Sequence, residues 1–164
     1  MDRRALLKTP LAGALAISLA TGVGAQEMDK TSQASFDTVI GFMAAMGSGD
    51  IETMKALMAD DMVWHNEGDE SLPWIGETVG KQNILQFLGV FSSNLSVTKW
   101  ETKDAFASGD TVAVFGRKNG ITTNSGKEVG EFTFALRAKV RNEQIVLWNW
   151  FEDSFAVSKA YQGN

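Results

Sequence analysis

The chain has 164 residues, 44% of them hydrophobic, a formal net charge of −5, no cysteine and a single histidine. That composition suits one globular domain with its own core rather than a disordered chain. It excludes disulfides, thiolate zinc sites, a cysteine nucleophile and a multi-histidine metal centre, and the acidic balance disfavours nucleic acid and anionic membranes as partners.

Residues 1–25 read as an export signal. Arg3, Arg4 and Lys8 form a basic start, residues 11–20 make an apolar run too short to span a bilayer comfortably, and Val23-Gly24-Ala25 offers small residues for cleavage before Gln26. The string Asp2-Arg3-Arg4-Ala5-Leu6-Leu7-Lys8 is similar to a twin-arginine signal, with Asp2 and Leu6 departing from its pattern. The domain of residues 26–164 is therefore expected in the periplasm, free of the membrane once the signal is cleaved. Losing three basic residues and one acid takes the net charge from −5 to −7.

From Ser32 the apolar residues Phe36, Val39, Ile40, Met43 and Met46 recur at three and four spacing, which predicts a first helix stopped by Gly47-Ser48-Gly49-Asp50. Asp50 can cap a second helix with Ile51, Met54, Leu57 and Met58 on its inner face. After Ala59-Asp60-Asp61, residues Met62 to Asn66 read as a strand, followed by an acidic loop from Glu67 to Pro73. Gly80 precedes a third amphipathic helix over Lys81 to Phe91. Strands are then predicted over Val97 to Lys103, Thr111 to Lys118, Glu128 to Arg141 and Gln144 to Glu152, with a short segment from Ser154 to Tyr161 that Asp153 can cap. Helices first and strands last imply an α+β fold in which a curved, mostly antiparallel sheet takes three N-terminal helices in its concave face.

This order, with the strings ALMADDMVWHN, PWIGETVGKQNILQFL and EQIVLWNWFEDSF, resembles the SnoaL-like and ketosteroid-isomerase-like branch of the nuclear transport factor two-like superfamily. The resemblance implies a cone-shaped α+β barrel whose mouth admits small, often apolar molecules. Its members isomerise, cyclise, dehydrate, hydrolyse, or only bind a ligand or pair as dimers, so the fold alone does not choose among these. Laid over the isomerase pattern, Asn66 stands where that enzyme keeps its base, and Phe42 and Leu136, or a near neighbour of Leu136, stand where it keeps its two oxyanion donors. A steroid isomerase is set aside.

Strand alternation puts Trp64 and Asn66 on one face and His65 on the other. If Asn66 looks into the cone, His65 is more simply a packed or surface histidine than a catalytic one. Trp148 and Trp150 share a face, which the resemblance makes the concave one, together with Phe132, Phe134 and Leu136. Trp74 is read as a flap over the mouth or as a staple for its loop. For acid and base chemistry the candidates are Asp153, which the resemblance favours, Glu152, which alternation favours, and His65. A carboxylate at the edge of an aromatic pocket would be made more basic by desolvation. The leading expectation is a small apolar or aromatic ligand held by Trp64, Asn66, Trp74, Phe132, Phe134, Trp148 and Trp150, with no metal and no cofactor. The alternative is a non-catalytic homodimer with a filled cone, presenting Trp100 and Phe115 on the convex face of its sheet.

Overall fold

The structure, a computed structural model, describes residues 28–163. The expected leader and its cleavage before Gln26 lie outside the described residues.

Helix α1 (Lys30–Ser48) starts where the Asp29 carboxylate accepts the backbone N–H groups of Thr31 and Ser32, and it stops at Gly49, whose left-handed φ of 72° only glycine adopts without strain. Asp50 then caps α2 (Ile51–Leu57) by accepting the Thr53 N–H, as expected. Of the expected inner face of α2, Met54 is buried while Ile51 stays exposed.

Strand β1 (Met58–Glu67) begins four residues earlier than the sequence suggests. Ala59-Asp60-Asp61 are part of it because Met58 pairs with Ile145 of the last strand, a register shift follows, and Asp60 and Asp61 are held outside by Lys81 and Arg141 at 2.9 and 2.7 Å. A short strand β2 (Gly76–Val79), unread in the sequence, pairs antiparallel with β1. Helix α3 (Lys81–Asn94) follows, three residues longer than its periodicity suggests. The long strands β3 (Leu95–Ser108), β4 (Thr111–Thr122), β5 (Glu128–Arg141) and β6 (Gln144–Glu152) form an antiparallel meander, and α4 (Ser154–Tyr161) closes the chain.

The sheet has six strands in the order β2-β1-β6-β5-β4-β3. It is curved and unclosed, and mostly antiparallel, with β1 and β6 the one parallel pair. The architecture is α+β, as expected, with the short β2 added before the third helix and the segment from Ser154 to Tyr161 forming a fourth helix. Val39, Phe42 and Met43 of α1, Met54 of α2 and Ile84 of α3 pack against inward residues of the sheet, among them Trp64, Val112, Val114, Phe134, Leu136 and Trp148. Full burial of each large apolar side chain contributes about 1.5–3 kcal/mol. A smaller cluster of Leu72, Trp74, Leu95, Phe132 and Val157 seats α4 and the loop before β2.

Two local features shape the concave face. Gly116 of β4 leaves the space that the Phe134 ring occupies: a β-carbon there would lie 2.5 Å from Phe134 Cζ and 2.3 Å from the Glu101 carbonyl oxygen. In β3 the pairing shifts between Val97 and Lys99. That bulge reverses the alternation, so Trp100 lies opposite Lys118 on the inner face rather than on the convex face.

Candidate functional site

Between the C-terminal half of α1, α3, β3 and the floor of the sheet lies a cavity of about 760 Å³. This is within the ordinary size of small-molecule sites. Its floor carries Trp64, Asn66, Trp148, Trp150 and Lys118, its walls Met43, Leu85, Leu88, Phe91 and Trp100, and its rim the exposed Gly49, Ile51, Ser92 and Val97. The indoles are layered: Trp64 stacks on Trp148 at 5.1 Å, Phe134 on Trp150 at 4.8 Å, and Trp100 leans on Phe134 at 4.3 Å. Such pairs prefer offset or tilted geometries and stiffen the floor that they form.

The polar centre of this apolar chamber is an ion pair. Lys118 Nζ lies 2.6 Å from Glu152 Oε2, and both side chains are only 1% exposed. Register explains their meeting. Lys118 faces Phe132 across β4 and β5, and Glu152 faces Phe134 across β5 and β6, so the two charged residues lie diagonally on one sheet face. The same carboxylate oxygen accepts the Trp150 indole N–H at 2.9 Å. The rings of Trp150, Phe132 and Phe91 surround Nζ with centroids 4.8, 5.1 and 5.5 Å away, in range for cation–π attraction. Burial pushes the Lys118 ammonium below the ordinary lysine range, against the opposing charge and hydrogen bond of Glu152.

Asn66 is buried with a partner at each polar atom: its Oδ1 accepts the Trp64 indole N–H at 2.8 Å, and its Nδ2 donates to the Trp74 carbonyl at 2.9 Å. An amide at this position therefore orients one indole and ties down the loop after β1. The Trp148 indole N–H, by contrast, is buried with no hydrogen-bond partner among the described residues.

The structure brings together Trp64, Asn66, Trp148, Trp150 and Glu152 of the residues named from sequence. Phe134 is buried behind the cavity floor, stacked on Trp150. Phe132 and Trp74 belong to the smaller cluster, where Trp74 meets Phe91 and Tyr161 edge-on at 5.9 and 5.5 Å. Trp74 thus staples its loop rather than hanging over the mouth. His65 lies half-buried on the opposite face of β1, 3.3 Å from Glu67 and 3.8 Å from Glu77. Asp153 is exposed, its carboxylate accepting the Ala156 N–H at the start of α4. Neither lines the cavity.

Sequence reasoning missed Lys118 and misplaced Trp100. The signal for Lys118 was present: it continues the inward series Val112, Val114, Gly116 of a strand whose alternate residues Phe115 and Arg117 face out. No group of three or more His, Cys, Asp or Glu side chains able to hold a metal comes together among the described residues.

The architecture recurs in solved structures. An NTF2-like protein from Burkholderia xenovorans superposes with a TM-score of 0.73 at 24% identity, over 81% of this chain and 99% of that one. A protein assigned as a SnoaL-like polyketide cyclase from Jannaschia gives 0.69 at 16% identity, over 85% and 99%. An epoxide hydrolase of the LEH-like type from M. tuberculosis gives 0.63 at 19%, over 80% and 92%. At these identities the likeness is one of fold. No curated protein matches the chain at a significant level. The profile of the SnoaL-like domain matches residues 39–148, which run from the middle of α1 to the tryptophan at the centre of β6. The chain belongs to the SnoaL-like domain family.

Proposed function

We propose that this chain works in the periplasm, after loss of its leader, by holding a small, largely apolar or aromatic organic molecule in the cavity, where the Lys118–Glu152 pair supplies acid and base chemistry. The observation that carries this reading is the combination of an apolar chamber of about 760 Å³ with the buried Lys118–Glu152 ion pair, whose lysine lines the floor. An open volume of that size argues against the filled cone of the alternative reading. Convergent polar groups in an otherwise apolar cleft are the usual form of a small-molecule site. The named structural neighbours include a hydrolase and a cyclase, so the reaction must be argued from the side chains and not from the fold.

The test is a titration of intrinsic tryptophan fluorescence with aromatic acids, lactones and terpenoids. Four of the five tryptophans line the cavity, so a ligand seated there should quench emission saturably. Trp100→Leu should weaken that binding about three- to tenfold, because one aromatic pair is worth about 0.5–1.5 kcal/mol. Silence across the whole panel would reject the reading.

A second reading, homodimerisation, is favoured by one observation. Phe151, Ala135 and Phe115 lie side by side across β6, β5 and β4 on the outer sheet face, and Phe106 meets Phe115 edge-on at 6.5 Å. Phe106 and Phe115 are 59% and 44% exposed. Rows of exposed aromatics on one surface mark interaction sites. Sedimentation equilibrium should give a dimer, and Phe115→Glu should give a monomer with an intact cavity; a monomeric parent protein removes this reading.

A further inference from the structure

Lys118 is the one ionisable side chain in the cavity lining among the described residues. Everything else there is apolar, aromatic, hydroxyl, amide or glycine. It is nearly inaccessible to bulk water yet borders the chamber, and among the described residues its hydrogen-bond partner is Glu152. A primary amine has three donor positions when protonated. The carboxylate takes one, and the ring faces of Phe91, Phe132 and Trp150 occupy the surroundings without accepting a conventional hydrogen bond.

These facts constrain what the pair can do. A carboxylate ligand gains little, since Glu152 already neutralises Lys118 and would repel a second anion. A neutral ligand with an electrophilic carbon suits the site better. Lysines become nucleophiles when desolvated in apolar surroundings, and Glu152, 2.6 Å away, is in place to take the ammonium proton directly.

We propose that Lys118 is an imine-forming amine, which adds to the carbonyl carbon of an apolar or aromatic aldehyde or ketone held in the cavity while Glu152 relays the protons. This rests on the reading of the cavity as a ligand site. The step balances within the pair and the ligand. Glu152 first takes a proton from the Lys118 ammonium, leaving amine and carboxylic acid. The nitrogen lone pair then forms the C–N bond, the carbonyl π electrons move to oxygen, and Glu152 protonates that oxygen. Glu152 takes back the proton now in excess on nitrogen, giving a neutral carbinolamine. It finally protonates the hydroxyl group, which departs as water while the nitrogen lone pair forms the C=N bond. The iminium so formed stands beside the Glu152 carboxylate in place of the original ammonium.

The experiment is reductive trapping. The purified protein is incubated with naphthaldehyde and sodium cyanoborohydride, and the adduct, a gain of the aldehyde less one oxygen atom, is mapped by peptide mass spectrometry. Binding beside the amine raises its effective concentration, so labelling of Lys118 should exceed that of exposed Lys99 and Lys159 by about tenfold or more. Methylnaphthalene, which has the ring system and no carbonyl, should compete the label off Lys118 and leave the surface lysines labelled. Lys118→Arg should lose the cavity adduct while Lys99 and Lys159 stay labelled. Mapping on the parent protein decides the matter even if that variant does not fold. Saturable quenching with Lys118 labelled no more than Lys99 overturns the imine while leaving the cavity reading intact. The absence of both quenching and a Lys118 adduct overturns both.

Discussion

Replacing Glu152 by alanine is expected to destabilise the fold by about 3–5 kcal/mol, the cost of leaving a buried charge without its partner. In the parent protein the carboxylate lies 2.6 Å from Lys118 Nζ and also accepts the Trp150 indole N–H at 2.9 Å. The substitution strands both donors in an apolar floor. Against a typical domain stability of about 5–15 kcal/mol this is a large fraction, visible as a lowered denaturant midpoint with an unchanged slope. Adding Lys118→Met and changing Glu152 to Gln instead removes both charges and keeps an acceptor for Trp150. That pair should recover about half of the loss or more, because well-packed neutral replacements of buried ion pairs are often tolerated. Equal destabilisation in Glu152→Ala and in the neutral pair would show that the charge has no part in the effect.

The same variant should change how stability responds to pH. Burial depresses the folded-state pKa of Lys118 below its unfolded value of 10.5, with Glu152 opposing the shift. Between those two values the unfolded chain binds more protons than the folded one, so this lysine makes stability rise with pH through that window. Removing Glu152 takes away the opposing charge and hydrogen bond. The window then widens downward and the rise grows. Urea midpoints of Glu152→Ala should climb with increasing pH more steeply than those of the parent protein, and the Lys118→Met background should lose this component.

Much of the architecture was legible because burial follows periodicity. Val39, Met43, Trp64, Trp148 and Trp150 all face inward as spacing requires, and Asp50 and Asp153 cap the helices that follow them. What stayed hidden depended on bulges and on partners distant in sequence. Trp100 is expected on the convex face under the dimer reading, whereas the register shift between Val97 and Lys99 sets it opposite Lys118 on the inner face. The early start of β1 is set by a partner almost ninety positions away, since Met58 pairs with Ile145. The site itself needed two strands read together. Glu152 alone is an acid at the end of a strand, and Lys118 alone is the last residue of the strand expected over Thr111 to Lys118; only the β4-β5-β6 register makes them neighbours. His65 is a candidate by residue type and Asp153 by the family resemblance, but the backbone directs one to the outer face and the other to a helix start.

Trp148 is the residue whose truncation should cost most among the cavity aromatics. It is fully buried and touches Phe42 at 5.0 Å, Trp64 at 5.1 Å and Trp150 at 6.5 Å. Trp148→Ala should therefore lose about 3–5 kcal/mol, with the new void joining the existing cavity. Trp148→Phe separates packing from polarity. It keeps an aromatic ring against Phe42 and Trp64 but deletes an indole N–H that has no partner among the described residues. Leaving such a donor unsatisfied costs about 1–3 kcal/mol, so its removal offsets part of the lost ring volume, and the phenylalanine variant should remain folded and close to the parent in stability. If a ligand carbonyl or ether oxygen satisfies that N–H when bound, the same variant should bind about two- to tenfold more weakly, the value of one neutral hydrogen bond. A phenylalanine variant that is folded and binds as tightly as the parent would show that the unpaired indole serves packing alone and that ligand recognition rests on Lys118 and the remaining rings.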